Sequence, residues 1–504
     1  MQEQSYALNG VALGLVRDFS GVTFSDELFA AVRVAAGSSF GAARFEETVF
    51  TGDTDFSGFE FTGATSFEGA RFRGEADFSG ARFHGPVSFV GAVFERECRF
   101  DGSAFLYDGA TYRSQPSAAD AKSVDFTRAI WQGHASFDGI WVARKWVLTK
   151  AHFQESLTGK AQCEDSVVMN GATLEKRVKL TLNTTGLDCQ DATFNGGGVL
   201  RLRNATVLLA DAVLRDKLSV IHDSGLLQLP PRIPAPGRGT MGARAPKPAA
   251  LRHVDASQLV LVDLDLSECR FAEAHRLDLL DFRGCTFDRP PQWRRTLGVI
   301  PIRPVKRDVL ADETSPDGPG PSAVAALYRQ LRKALEDGKN EPGAGGFYYG
   351  EMEMRRRRRA KDTSTTERWL LHTYWLVSGY GLRATRALGW LLAAVIATIT
   401  LMMGVGLPDA DPEQTVTGGM PAASGRVELT VQTPDPELTL PLRDRFTLKR
   451  ANSALKVVLN SVVFRSSGQN LTTWGTYVEM ASRFTEPVLL GLAGLAIHGR
   501  LKRG

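Results

Sequence analysis

The stretch FEGARFRGEADFSGARFHGPVSFVGAVF, residues 67–94, returns phenylalanine at Phe67, Phe72, Phe78, Phe83, Phe89 and Phe94, in steps that alternate between five and six residues. A helix repeats near 3.6 residues and a strand at 2, so neither produces this rhythm. A fixed self-similar period predicts a repeat architecture instead. Followed in both directions, the rhythm occupies twelve consecutive slots: Phe45, Phe50, Phe56, Phe61, Phe67, Phe72, Phe78, Phe83, Phe89, Phe94, Phe100 and Phe105.

Two positions before each slot stands a mostly small residue: Ala43, Thr48, Thr54, Thr65, Ala70, Ala76, Ala81, Val87, Ala92, Cys98 and Ser103, with Phe59 as the exception. One large and one small inward residue per step is what a narrow solenoid needs, the ring filling the axis and the small side chain letting the backbone turn. The pattern resembles the pentapeptide-repeat family, whose unit is small–polar–Leu/Phe–x–x. That resemblance implies a right-handed quadrilateral β-helix with one repeat per face. The alternating steps predict coils of about 22 residues with a bulge on alternate faces.

The ladder extends beyond this block. Phe19 and Phe24 place its start near the N-terminus; after a break at residues 106–123, Phe126, Trp131, Phe137, Val142, Leu148 and Phe153 resume it. VVMNGATL and CQDATFNGGG read as later coils, and residues 264–287 as a last one, after a Pro/Arg-rich insert expected as a solvated loop. At about 4.8 Å per coil the rod would be some 40–60 Å long. Its outward side chains mix Arg71, Arg73, Glu75, Asp77, Arg82 and Glu95, so no uniform acidic stripe of the DNA-mimicking kind is expected.

Composition sets further bounds. A net charge of +4 over 504 residues carries no global nucleic-acid signal. Five cysteines without CxxC pairing (Cys98, Cys163, Cys189, Cys269, Cys285) read as reduced core residues. The opening MQEQSYALNG carries no signal-peptide pattern.

After Pro304 the grammar changes. Val324, Leu327, Tyr328, Leu331 and Leu335 fall on one helical face that Gly338 should end, and GFYYGEMEM runs into Arg355–Arg359. The segment Ala387–Leu407 is uncharged and long enough, at roughly 30 Å, to cross a bilayer core. Trp369, Tyr374, Trp375 and Tyr380 before it suit an interface, and the excess of Lys and Arg between Arg355 and Arg386 predicts a cytoplasmic rod. The arginine run is then expected to face cytoplasmic solvent or anionic headgroups. A return span over Tyr477–Ile497 includes Glu479, Arg483 and Glu486, which are costly unless they face protein or water.

Between the spans, the apolar run Ala454–Phe464 suits a re-entrant helix, and LTTWGTY follows it. This order resembles the two-helix pore module of potassium channels, where four loops line a filter with backbone carbonyls. The resemblance puts Thr472, Thr473, Gly475, Thr476 and Tyr477 on an ion pathway. Trp474 and the missing second glycine depart from it. The order YRQLRKALED, GFYYGEMEMR, YWLVSGYG is also similar to that of bacterial proteins joining pentapeptide repeats to channel-like ends. No histidine falls at metal-ligand spacing, and no P-loop, GxSxG or HExxH occurs, so neither a metal site nor a cofactor nor an enzyme is expected. Asp263, Asp265, Asp278 and Asp281 read as outward ladder residues before a calcium site.

The fold class is therefore a mainly β solenoid plus a C-terminal α-helical membrane domain with two spans and a re-entrant pore-like helix. The divisions run 1–221 β-helix, 222–250 Pro/Arg-rich loop, 251–300 final coil, 301–366 helical basic linker, 367–407 interfacial helix and first span, 408–450 external loop, and 451–504 re-entrant helix, TTWGTY loop and second span. Function reads as a multi-pass plasma-membrane scaffold or sensor. Its rod and C-terminus lie in the cytoplasm, with membrane lipid and an unknown cytoplasmic protein as partners and nucleic acid excluded. The rival is a tetrameric cation channel with a degenerate filter, which would make the chain a homo-tetramer. A membrane-associated oxidoreductase is the remote alternative.

Overall fold

The computed structural model describes residues 17–106, 122–225, 245–289, 307–358, 364–409, 415–418, 429–432, 438, 440–464 and 471–501. They form two compact units, divided between Arg355 and Arg356. The sequence block 107–121 and most of the Pro/Arg-rich insert lie outside the described residues.

The first unit is a parallel β-solenoid. Two-residue strands stack coil upon coil, so that Phe61, Phe83 and Phe105 stand in register 22 residues apart. All twelve phenylalanines of the ladder are buried, as is the exceptional Phe59. Each ring lies flat on its counterpart one coil away: Phe61 on Phe83 at 4.6 Å, Phe67 on Phe89 at 4.8 Å, Phe78 on Phe100 at 4.9 Å. Neighbouring columns meet edge to face, as Phe67 does with Phe78 at 82°. Both geometries suit the ring quadrupole.

The two step lengths have different causes. In the five-residue step, Gly80 takes φ 67°, and Ala81 N–H donates to the Phe78 carbonyl at 3.0 Å to close the corner. Glycine enters that left-handed region without a Cβ clash. In the six-residue step the coils touch backbone to backbone: a Cβ on Gly85 would lie 2.6 Å from the carbonyl carbon of Gly63.

Four strand stacks persist only to Phe105. The strand Ala135–Val142 pairs with Cys98–Arg99 at one end and with Ala104–Phe105 at the other, fusing two faces into one. From there the long strands Leu157–Cys163, Val178–Asn183, Gly198–Arg203 and Leu218–His222 continue a three-sided rod. The expected quadrilateral is thus corrected for these coils, which shorten until Leu180 pairs with Leu200. The reason is local. VKLTLN and GVLRLR alternate apolar and polar residues without a corner residue, which favours an unbroken strand.

Two further boundaries shift. Lys247–Ala250 pairs with Thr206–Leu208, so the last residues of the expected loop belong to the solenoid. Both ends of the rod are covered. Helix α1 (Asp26–Ala36) sets Phe29 edge-on against Phe50 and Phe56 at 5.5 and 5.0 Å. At the other end α2 (Pro321–Asp337) and α3 (Glu341–Arg356) bury Tyr328, Leu331 and Phe347, with Phe347 against Phe287 at 5.1 Å. Asp312 accepts the backbone N–H groups of Phe271 and Ala272 at 2.8 and 3.1 Å. The expected basic linker is therefore a packed cap on the last coils. A solenoid end would otherwise leave apolar rungs and strand edges in water. Arg355, expected to face solvent or lipid headgroups, instead joins Arg329 and Arg332 on the buried Glu351.

The five thiols fit this core. None is in a disulfide, and burial pushes Cys163 up to about 12 and Cys285 to about 11.

Phe78→Ala should cost about 3–5 kcal/mol, because the closed ring columns cannot collapse onto the void. Arg73→Ala, on an exposed rung, should stay within about 0.5 kcal/mol. Urea unfolding followed by β circular dichroism separates them, and equal midpoints would contradict the ring columns.

Candidate functional site

The second unit begins with α4 (Thr365–Ser378), followed by α5 (Ala384–Leu401), which ends in a π-helical turn, Met402–Gly406. A hairpin, Thr415–Gly418 with Leu429–Gln432, then precedes α6 (Leu448–Phe464) and α7 (Thr473–Leu501). The region expected to be one external loop thus holds a hairpin and the start of α6. Two segments are long and apolar enough to cross a membrane, Ala384–Gly406 and Thr473–Ile497.

These helices are inverted relative to a water-soluble core. Leu388, Trp390, Leu392, Ile396 and Leu401 of α5 are exposed, as are Phe484, Val488, Leu490 and Leu495 of α7. The polar residues Thr398, Glu479, Ser482 and Glu486 are buried. Glu479 holds Arg483 at 2.7 Å one turn along, and Thr398 lies 2.9 Å from Glu486 across the two helices. The charges that made the second span costly therefore face protein.

The carbonyl end of α5 is closed by arginine. Arg450 donates to the carbonyls of Met403, Leu407 and Pro408 at 3.1, 2.7 and 3.2 Å, and to Asp409 at 2.6 Å. Arg445 donates to the Gly404 carbonyl at 2.8 Å. Carbonyls that a helix end leaves unpaired carry partial negative charge, which a guanidinium satisfies in both respects.

The expected TTWGTY loop is corrected to a helix start. Thr472 accepts the Gly475 N–H at 3.0 Å and donates to the Val405 carbonyl at 2.6 Å. Thr473, Gly475, Thr476 and Tyr477 occupy the first turns of α7, with Thr476 N–H donating to the Thr472 carbonyl at 3.0 Å. Threonine is a good helix cap, and without a second glycine the segment has no device to hold an extended filter. Carbonyls that enter the helix ladder are spent on hydrogen bonds. Trp474 and Tyr477 are exposed at this end.

The sequence did not single out Thr398, Arg445 or Arg450. Their partners across the fold lie 41 to 88 residues away, and the charges of Glu479, Arg483 and Glu486 within an apolar span are the one signal in the sequence.

On the solenoid, an open groove of about 530 Å³ crosses successive coils, lined by Arg44, Glu46, Ser66, Glu68, Ser88 and Asp125 among others. Outward charges pair between coils, as in His84 with Glu60 at 2.8 Å and Arg71 with Glu95 at 3.5 Å. Of the four aspartates named above, Asp265, Asp278 and Asp281 each meet a Lys or Arg; a hydrogen bond from Lys333 holds the Asp278 carboxyl below its ordinary range. Among the described residues no three His, Cys, Asp or Glu side chains converge as metal ligands.

A family model described as Pentapeptide repeats (9 copies) matches residues 56–104. With the stacked coils this settles the first unit. The N-terminal region is a pentapeptide-repeat β-solenoid. No curated protein and no solved structure matches the chain significantly.

A Cβ on Gly475 would lie 2.8 Å from Gly406 Cα, so Gly475→Val should lower the melting temperature of the helical unit by several degrees. Gly491→Ala, which meets nothing within 4 Å, should not. Equal melting of the two variants in detergent would contradict the helical packing of this segment.

Proposed function

We propose that the chain is a membrane-anchored scaffold, with α5 and α7 crossing the bilayer and the pentapeptide-repeat solenoid offering a rigid binding surface to a cytoplasmic protein. The inverted α5–α7 pair carries this reading: apolar side chains point outward while Glu479, Ser482, Glu486 and Thr398 are buried. In water that arrangement is unfavourable on both faces; in lipid it is favourable on both.

The basic bias before α5 supports a cytoplasmic solenoid. Arg356, whose guanidinium sits 4.8 Å over the Trp375 ring, joins an aromatic and a cationic group of the kind found at membrane interfaces. The solenoid suits scaffolding because its closed ring columns fix the outward rungs. The groove across its first face supplies small and charged groups for a partner.

Alkaline carbonate washing of membranes from cells making the full chain should leave it in the pellet. Trypsin should cut between Arg355 and Arg359 in inside-out vesicles but not in sealed right-side-out ones. Release into the supernatant would contradict the anchoring, and cutting only in right-side-out vesicles would reverse the orientation.

A further inference from the structure

Glu486 lies one residue past the middle of the segment Thr473–Ile497, and its side chain is wholly buried. Its Oε1 is 2.9 Å from Thr398 Oγ1, and its Oε2 is buried with no hydrogen-bond partner. Thr398 Oγ1 is also 3.0 Å from the Ala394 carbonyl of its own helix. A hydroxyl has one hydrogen and two lone pairs. A carbonyl can only accept, and so can an ionised carboxylate, so the single Thr398 hydrogen cannot serve both Ala394 and an anionic Glu486; given to Ala394 it makes the back-bond that threonine commonly forms within a helix. Both contacts are hydrogen bonds at once only if the hydrogen between Thr398 and Glu486 comes from Glu486.

Among the described residues no cation stands free to balance a carboxylate there. On α7, Arg483 is held by Glu479, and residues 487–497 carry no charge. On α5, residues 387–401 are uncharged, as is the π-turn that follows. On α6, Arg450 is held by Asp409, and Lys449 and Lys456 are exposed. On α4, Glu367 and His372 are exposed and Arg368 is half-buried. As an anion Glu486 would have two buried oxygens and at most one hydrogen bond. As an acid it leaves only a carbonyl-type oxygen unpaired, by far the smaller cost.

We propose that Glu486 and Thr398 form a proton-binding site at the centre of the membrane unit, with Glu486 a carboxylic acid that donates to Thr398 Oγ1. The ligand is a single proton, and losing it turns a neutral pair into an unbalanced buried charge. Pro487, the next residue, has no N–H for the Arg483 carbonyl. The site therefore sits at a break in the helix ladder, where a change in charge is most easily converted into a change in bend.

The hydrogen count stands without a bilayer; the membrane position rests on the anchoring proposed above. The test is infrared spectroscopy of the full-length protein in phospholipid vesicles at neutral pH, after vesicle flotation has separately scored insertion. Wild type should give a carboxylic-acid carbonyl band that shifts in heavy water and is lost in Glu486→Gln, whose amide donates to Thr398 in the acid's place. Thr398→Val should keep the band but move it to higher frequency, because the acid loses its acceptor. A wild-type spectrum with no such band would overturn the proposal. So would a band that survives in Glu486→Gln, or one that does not move in Thr398→Val, a variant that keeps the carboxyl even if Glu486→Gln fails to fold.

Discussion

The first unit depends on one spacing. Parallel strands in successive coils stand about 4.8 Å apart, and rings carried in register must stack at that distance. Phenylalanine is a flat group of suitable thickness, and the observed columns keep 4.6–5.2 Å between centroids from Phe45 to Phe105. Everything else in the coil serves that register. Small residues turn the corners, Gly80 and its equivalents take the left-handed conformation, and α1 and the α2–α3 pair keep the end rungs from water.

That dependence explains how much of this unit could be read from sequence. The ladder, its step lengths and its coil of 22 residues are local and repeated, so each slot reinforces the next. The change from four faces to three was less visible. It begins at Ala135–Val142, which pairs with two earlier strands at once while Gly139 still takes the left-handed conformation, and it is complete only in the later unbroken strands. The caps resemble a linker in the sequence because their apolar faces, although plain in Tyr328, Leu331 and Phe347, do not say what they cover. The arginine run misled for a similar reason: Glu351 gathers three arginines that the sequence spreads over 27 residues.

The helical unit reverses the logic. Its outward face is apolar and polar pairs are buried beside a small apolar cluster of Met402, Met403, Leu407, Ala454 and Val457, so Thr398, Glu486, Arg450 and Asp409 carry the specificity that phenylalanine supplies in the solenoid. None of these pairs is local, and sequence periodicity cannot find them. The resemblance to a pore module makes Thr472–Tyr477 a filter loop. Its conformation is decided instead by Val405 and Gly406, against which Thr472 and Gly475 are set. Short motifs of threonine and glycine serve helix caps as readily as they serve loops.

In the proposed anchoring, the exposed apolar face of α5 and α7 meets lipid while the solenoid meets water. Spin labels at Leu392→Cys, on α5, and Arg73→Cys, on the solenoid, would test it in vesicle-reconstituted protein in which the half-buried Cys285 is replaced by serine and the other four native thiols are buried. Collisional relaxation by oxygen, which partitions into lipid, and by a water-soluble nickel chelate then reads the medium at each position. Oxygen-dominated relaxation is expected at Leu392 and chelate-dominated relaxation at Arg73. Chelate-dominated relaxation at both positions would contradict it.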